Sequence, residues 1–209
     1  REGRLLLEGY HYRHHRVMRE AVALIRSGRL GAPLRAEAFF DVPIARSETE
    51  LRWQAALGGG ALMDLGCYPL HALRSLLGRE PVVERAEAEF VDGVDAALRA
   101  ELSFGDTSAV IGCSMIAERA GARLAVECGR GRLEIVNFVA PQIGCSFSVT
   151  ADGVTELRPT DGPTTYEAQL DHVVRVWRGE TAPLFGPEDA VAQMRAIDAV
   201  YAAAGQPAG

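Results

Sequence analysis

The chain has 209 residues, of which 48% are hydrophobic and 24% charged, with a formal net charge of −6. This composition is ordinary for a globular protein and long enough to bury a sizeable core. The acidic balance and the lack of a basic run argue against nucleic acid as a partner. No apolar run reaches the roughly 20 residues of a membrane helix, which argues against a membrane partner. The sequence shows neither a signal peptide nor cysteine spacing typical of a metal site. We therefore expect one cytoplasmic domain, residues 1–209, that binds no metal. Its cysteines are expected to be buried free thiols.

The first third of the chain predicts two helices separated by a strand. Apolar residues recur at helical spacing from Arg16, and Gly28 marks the end of that helix. Residues 34–41 alternate like a half-buried strand, and a polar loop then leads into three glycines, Gly58 to Gly60. Residues 61–77 again have helical spacing, and we expect Pro69 to kink or restart this second helix.

The hydrophobic period then changes to two, which predicts strands. Short turns join the segments 85–91, 95–104, 108–116, 122–128 and 132–136, and two further strands flank an Asp-Gly turn at 152–153. Such short connections favour antiparallel neighbours.

Two helices close the chain. The first starts at a capping box, Thr164 to Glu167, and the second follows Gly186-Pro187. The inward residues are predicted to be Leu170, Val173, Val174 and Trp177 in the first helix, and Val191, Met194, Ile197 and Tyr201 in the second. This order predicts an α+β fold, a large and mostly antiparallel sheet with helices packed on one face.

Three side chains after the glycines are of types that can take part in a reaction. Asp64, Tyr68 and His71 stand at i, i+4 and i+7, which places them on one face of a regular helix. A carboxylate can accept a hydroxyl proton, and a phenol or imidazole can exchange a proton with an oxygen whose carbon changes oxidation state. The alternative is that the three form the solvated face of an amphipathic helix.

The segment HYRHH, His11 to His15, holds three of the five histidines. A metal pair would need a third ligand nearby, which the sequence lacks, so these residues are expected to line a pocket or lie on the surface. Arg52, in the loop before the glycines, either binds a substrate hydroxyl or carboxylate or lies in solvent.

Together these segments resemble a known family. They are similar to the glucose–fructose oxidoreductase, inositol dehydrogenase and MocA (Gfo/Idh/MocA) family. The similarity lies in the tyrosine-arginine-histidine segment, the helix ending S-G-x-L-G, the arginine loop, the block GGGALMDLGCYPLHALRSLLG-x-EP and the later Y-x-x-Q-L-D-H. The similarity is strongest to the branch with glucose–fructose oxidoreductase, dihydrodiol dehydrogenases and xylose dehydrogenases.

The resemblance implies the family's C-terminal domain, with a fold like that of the glyceraldehyde-3-phosphate dehydrogenase C-terminal domain. It implies hydride transfer between NAD or NADP and a small-molecule sugar, polyol or diol, and a homo-oligomer formed through the open sheet face. By position, Asp64 and Tyr68 are the implied catalytic residues. The substrate-binding residues are expected to be Arg13, His15, Arg52 and His71, with Tyr12 and Arg13 on the nicotinamide side.

The chain lacks the family's dinucleotide fingerprint and contains no lysine. We therefore expect the NAD(P)-binding Rossmann domain and the catalytic lysine to lie outside this chain, which by itself is expected to be inactive. Two alternatives stay open. One is an NAD-dependent glycosidase of the same superfamily. The other is a non-catalytic domain for oligomerisation or ligand binding, whose polar sheet face carries Arg85, Glu87, Glu89, Arg99 and Glu101.

Overall fold

A computed structural model describes residues 5–205 and contains eight strands and four α-helices. The strands are β1 (Pro33–Asp41), β2 (Val82–Val91), β3 (Val94–Phe104), β4 (Thr107–Ser114), β5 (Gly121–Cys128), β6 (Gly131–Val136), β7 (Ser146–Ala151) and β8 (Val154–Leu157). The helices are α1 (Arg16–Arg26), α2 (Cys67–Leu77), α3 (Thr165–Trp177) and α4 (Pro187–Ala203). The predicted elements are thus confirmed, with ends shifted by a few residues.

All eight strands form one open sheet in the order β2-β3-β4-β1-β5-β6-β7-β8. Every pair is antiparallel except β1 with β4, which run parallel from Arg35 beside Ser108 to Asp41 beside Ser114. The predicted α+β class and mostly antiparallel sheet are confirmed. The insertion of β1 into the middle of the sheet was not predicted, because its partners β4 and β5 lie far along the chain.

The two faces of the sheet differ in chemistry. One face is apolar, with fully buried Ala36 and Ala38 at the centre, and α2 packs over this region with α1 and α4 beside it. The other face is charged, and Arg123 contacts both Glu37 at 2.9 Å and Glu134 at 2.8 Å. The strand register places the predicted polar residues of β2 and β3 on this charged face. They are Arg85, Glu87, Glu89, Arg99 and Glu101. That this face forms an oligomer stays a prediction.

The inward faces predicted for the last two helices are partly wrong. In α3, Leu170 and Trp177 are 64% and 76% exposed, because this helix packs against the segment His11–His14 rather than on the sheet. In α4, Val191 and Met194 are also exposed. The residues of α4 that face the core are Gln193, Ala196, Ile197 and Val200.

The four cysteines form no disulfide, as predicted, and Cys67, Cys113 and Cys128 are buried. Cys145 is only half-buried, which corrects the expectation that all four thiols lie in the core. Among residues 5–205, the helices are all too short or too polar to cross a lipid bilayer.

Candidate active site

The glycine segment before α2 is shaped by a buried carboxylate. Asp95 of β3 is fully buried and accepts hydrogen bonds from the Leu62 amide at 2.7 Å and the Tyr201 hydroxyl at 3.1 Å. Gly60 has φ +129°, and a Cβ at this position would overlap the Asp95 carboxylate. The chain can therefore reach Leu62 and start the next turn only because Gly60 has no side chain.

Residues Leu62–Gly66 form a π-helical turn before α2 begins. The Cys67 amide accordingly bonds back to the Leu62 carbonyl, five residues earlier. The backbone stays helical from the π turn into α2, with Gly66 and Cys67 both in the αR region, so the helix does not restart at Pro69 and the irregularity ahead of this proline is the π turn itself. Because a π turn rotates residues differently from an α turn, Asp64 no longer has the α-helical relation to α2 on which the sequence prediction depended.

The π turn and α2 form one wall of a cleft of about 620 Å³. The loop after β1 forms another wall, and the start of α3 closes the far side. The polar side chains that line this cleft are His11, Glu50, Arg52, Asp64, Tyr68, Gln142 and Tyr166. Concave sites with apolar walls and a few convergent polar groups are the usual form of small-molecule sites.

Arg52 and Asp64 form an ion pair at the cleft. Arg52 Nε donates to Asp64 Oδ2 at 2.7 Å, and its Nη1 donates to Glu50 Oε1 at 3.0 Å. The hydrogen bonds from Arg52 hold the pKa of Glu50 below its usual range. Arg52 is therefore neither free in solvent nor free to bind substrate with its whole guanidinium. It orients Asp64, whose Oδ1 has no side-chain partner within the described part of the chain.

Tyr68 projects from α2 into the same cleft and is held by other rings. Tyr10, Tyr12, His11 and Phe40 contact its ring with centroids 5.5–5.8 Å apart. Its hydroxyl has no hydrogen-bond partner in the range 5–205. Burial raises the pKa of Tyr68 to about 12, and the nearby thiol of Cys67 adds to the shift. At neutral pH the residue is thus a neutral phenol with a proton to donate.

We expect Tyr68 to stay protonated well above neutral pH. In a chain labelled with ¹³C at tyrosine Cζ, the Tyr68 resonance, assigned by its loss in Tyr68→Phe, should show no ionisation up to about pH 10, roughly the pKa of an unperturbed tyrosine. A midpoint at or below that value would contradict the effect of burial described above.

Two further residues of the cleft were not singled out by sequence reasoning. The His11 ring stacks on Tyr166 at 4.1 Å, and His11 Nδ1 shares a hydrogen bond of 2.8 Å with Thr165 Oγ1. Burial lowers the pKa of His11, so its imidazole is neutral at pH 7. The segment HYRHH marked His11 only as one of three histidines, and nothing in the sequence indicated that α3 would meet it 154 residues later.

The other predicted site residues lie outside the cleft. His71 is 1% exposed and forms a buried chain, since its Nδ1 contacts the Tyr12 hydroxyl at 2.7 Å and its Nε2 contacts Asp189 at 3.2 Å. The alternative of a solvated helix face is therefore wrong for His71. Tyr12 has no exposed surface, which leaves none for the predicted contact with nicotinamide. His15 is at the start of α1, where its Nδ1 accepts from the Val17 amide, and Arg13 lines a separate cavity.

A second depression of about 300 Å³ adjoins the cleft and shares Asp64 and Tyr68 with it. Its other walls are mostly apolar, from Tyr10, Met63, Cys67 and Met194. Apolar side chains of this kind can contact one side of a nicotinamide ring, and Glu8 adds a carboxylate to the same walls. The chain has no G-x-G-x-x-G segment, however, so these residues do not fit the phosphates of a dinucleotide.

A larger cavity of about 1170 Å³ lies between α1 and α3. Several charged groups on its walls are used in ion pairs, such as Arg16 with Asp161 and Glu20 with Arg158. We place the candidate active site in the smaller cleft because an oriented carboxylate and an unpartnered phenol meet there.

A protonated phenol and an ion-paired carboxylate in one cleft of an α+β domain are groups that can exchange a proton with a hydroxyl or carbonyl oxygen. The family model described as the GFO/IDH/MocA C-terminal domain matches residues 18–134, more than half of the chain. The chain therefore belongs to the GFO/IDH/MocA family.

Individual relatives agree with this family. D-xylose 1-dehydrogenase (NADP(+)) 2 of Haloferax volcanii is 29% identical over 206 residues, which cover 97% of this chain and 63% of that protein. Aldose-aldose oxidoreductase from Caulobacter crescentus, solved with glycerol, is 30% identical with a TM-score of 0.87, over 97% of this chain and 62% of that one.

The ketoreductase KijD10 from Actinomadura kijaniata, solved with NADP and TDP-benzene, has a TM-score of 0.83 at 21% identity, over 95% of this chain and 62% of that one. This likeness concerns the fold alone. The chain spans somewhat over three fifths of the length of these three relatives.

Proposed function

We propose that this chain is the substrate-side domain of an NAD(P)-dependent oxidoreductase that acts on a sugar, a polyol or a diol. The observation that carries the proposal is the free Tyr68 hydroxyl beside the Arg52–Asp64 ion pair in one cleft. Family membership supports it, and so do relatives named as a xylose dehydrogenase and an aldose-aldose oxidoreductase.

In this proposal, Tyr68 exchanges a proton with the oxygen of the reacting carbon. Because its pKa is raised, the neutral phenol is suited to donate to a carbonyl oxygen during reduction. In the direction of oxidation the phenol must first lose its proton, which a cation brought close to Tyr68 would favour. The family resemblance supplies such a cation, the lysine expected on the N-terminal domain.

Asp64 and His11 bind and orient the substrate in this scheme. Asp64 Oδ1 accepts a hydrogen bond from a substrate hydroxyl, while Arg52 holds the other oxygen at 2.7 Å. Neutral His11, with Nδ1 used by Thr165, presents Nε2 to a second hydroxyl. Alternating donors and acceptors of this kind suit a polyhydroxylated substrate, whose hydroxyls both donate and accept.

NAD or NADP, bound mainly by the N-terminal domain, supplies or accepts the hydride. Tyr10, Met63 and Cys67 would contact the nicotinamide side from this chain. The relative from Haloferax volcanii is named for NADP(+), which makes NADP the first nucleotide to test.

The test is turnover by this domain in one polypeptide with its nucleotide-binding domain. We expect nucleotide reduction with at least one aldose, polyol or diol, measured by absorbance against a panel that includes D-xylose. Absence of nucleotide-dependent turnover with the whole panel would reject the proposal. Release of sugar from a glycoside without net NADH formation would favour the glycosidase alternative instead.

Removing the Arg52 ion pair should weaken substrate binding. In Arg52→Gln the Asp64 carboxylate loses its charge-assisted partner, and we expect KM to rise by about tenfold with a smaller change in kcat, as for loss of one charged hydrogen bond. The matched control is Arg46→Gln in the same loop, since Arg46 pairs only with exposed Asp92 and stacks on Trp53. Equal effects of the two variants would exclude a specific role for Arg52.

A further inference from the structure

A cavity of about 240 Å³ lies where α1 and α2 end, and it shares no lining residue with the cleft. Its charged walls carry more positive than negative groups. They are formed by Arg13, Arg26, Arg74, Arg79, Glu80 and Asp189.

Both carboxylates in this cavity are hydrogen-bonded to one arginine. Arg74 donates to Glu80 at 2.7 and 2.8 Å and to Asp189 at 3.1 Å. The second oxygen of Asp189 contacts His71, and Arg74 Nη1 donates to the amide oxygen of Gln193 at 2.9 Å. Arg74 thus makes four hydrogen bonds, and the four arginines that line the cavity outnumber its two carboxylates.

Arg13 is the buried arginine of this cavity that has no hydrogen-bond or ion-pair partner among residues 5–205. The residue is only 6% exposed, and its guanidinium makes no hydrogen bond to any residue from 5 to 205. Its Nε is buried and unpaired, which is costly for a charged donor in a protein interior. Burial lowers the pKa of Arg13, and the nearby charges of Arg26 and Arg19 lower it further, while Tyr12 and the Asp189 carboxylate act in the opposite direction.

Arg26 is the second available donor. It reaches the cavity from the last turn of α1 and uses one nitrogen, Nη2, to bind the Ser75 carbonyl at 3.1 Å. Its remaining N–H groups are free to bind a ligand. His71 adds no charge on this wall, because burial lowers its pKa and keeps the imidazole neutral at pH 7.

We propose that this cavity binds a small oxyanion, a phosphate or a carboxylate, between Arg13 and Arg26. Two planar guanidinium groups present several N–H donors to the oxygens of one anion, the arrangement that binds phosphate and carboxylate groups best. The site is distinct from the candidate active site, and it does not depend on the proposed oxidoreductase activity.

The test uses the chain itself, unfolded by heat in chloride, phosphate or malonate at equal ionic strength. An anion present at a hundredfold excess over its binding midpoint is expected to raise Tm by about 5 to 10 °C. The anion with the lower midpoint identifies the preferred class, phosphate or dicarboxylate. If neither anion raises Tm above its value in chloride, the proposal is overturned.

Variants separate specific binding from a general salt effect. Arg13→Met removes the buried charge and keeps an apolar stem, so we expect an unchanged or higher Tm in chloride and no response to the preferred anion. Arg85→Gln, on the charged sheet face, is the control and should respond like the original chain. A response retained in Arg13→Met overturns the proposal.

A variant at the rim keeps the test decisive if Arg13→Met does not fold. Arg26 is exposed, so Arg26→Gln should fold normally. Loss of one charged donor should raise the binding midpoint about tenfold. An unchanged midpoint in Arg26→Gln overturns the proposed site.

Discussion

If the proposed function holds, replacing Tyr68 by phenylalanine in this domain joined to its nucleotide-binding domain is expected to lower kcat by about 10²- to 10⁴-fold, the usual contribution of a general acid or base. The ring of Tyr68 packs among four aromatic side chains, and phenylalanine keeps those contacts. The hydroxyl has no partner in the described part of the chain, so its removal leaves no protein group unsatisfied. The loss should therefore appear in catalysis and not in folding.

The measurement combines steady-state kinetics with nucleotide binding and thermal unfolding. The Kd for NADP and the Tm of Tyr68→Phe should stay close to those of the original protein, because neither depends on the phenol proton. A fall in kcat together with a large fall in Tm would indicate a structural role instead. Near-normal turnover would remove Tyr68 from the mechanism.

The largest loss of stability is expected from Gly60→Ala, about 4 kcal/mol in the free energy of unfolding. Two costs add at this position. The φ of +129° is unfavourable for any residue with a Cβ, and the added methyl group would overlap the Asp95 carboxylate. Asp95 cannot move aside without losing its hydrogen bonds to the Leu62 amide and the Tyr201 hydroxyl.

Gly58→Ala is the matched control, two residues earlier in the same segment. Gly58 also has a positive φ, +73°, but no atom lies within 4 Å of the position that a Cβ would take. Only the left-handed backbone is then penalised, by about 1 kcal/mol. Chemical denaturation measures both variants. Equal losses would show that contact with Asp95 is not what requires glycine at position 60.

The candidate site was only partly predictable from the sequence. Asp64, Tyr68 and Arg52 were identified from the family block and its preceding loop, and the structure brings all three to one cleft. His71 was grouped with them on helical spacing, but its ring is buried between Tyr12 and Asp189, outside the cleft. Whether these residues have the roles predicted for them stays to be tested by the variants above.

Other errors came from the tertiary environment of elements that were correctly identified. Spacing alone predicted Leu170 and Trp177 of α3 to face a core, yet this helix packs against the His11–His14 segment and leaves both residues exposed. Asp95 looked like one more polar residue at the start of a strand. Only its burial shows that it holds the glycine segment in place.

The sequence by itself determined the helices, the strands, the antiparallel hairpins and the family, because these depend on local periodicity, turn residues and short motifs. The tertiary structure alone decided that β1 lies between β4 and β5, that His11 stacks on Tyr166, and that Arg13 is buried without a partner. Each of these joins or isolates groups that are distant in the chain. Such relations depend on which apolar surfaces pack together, and local residue patterns do not encode them.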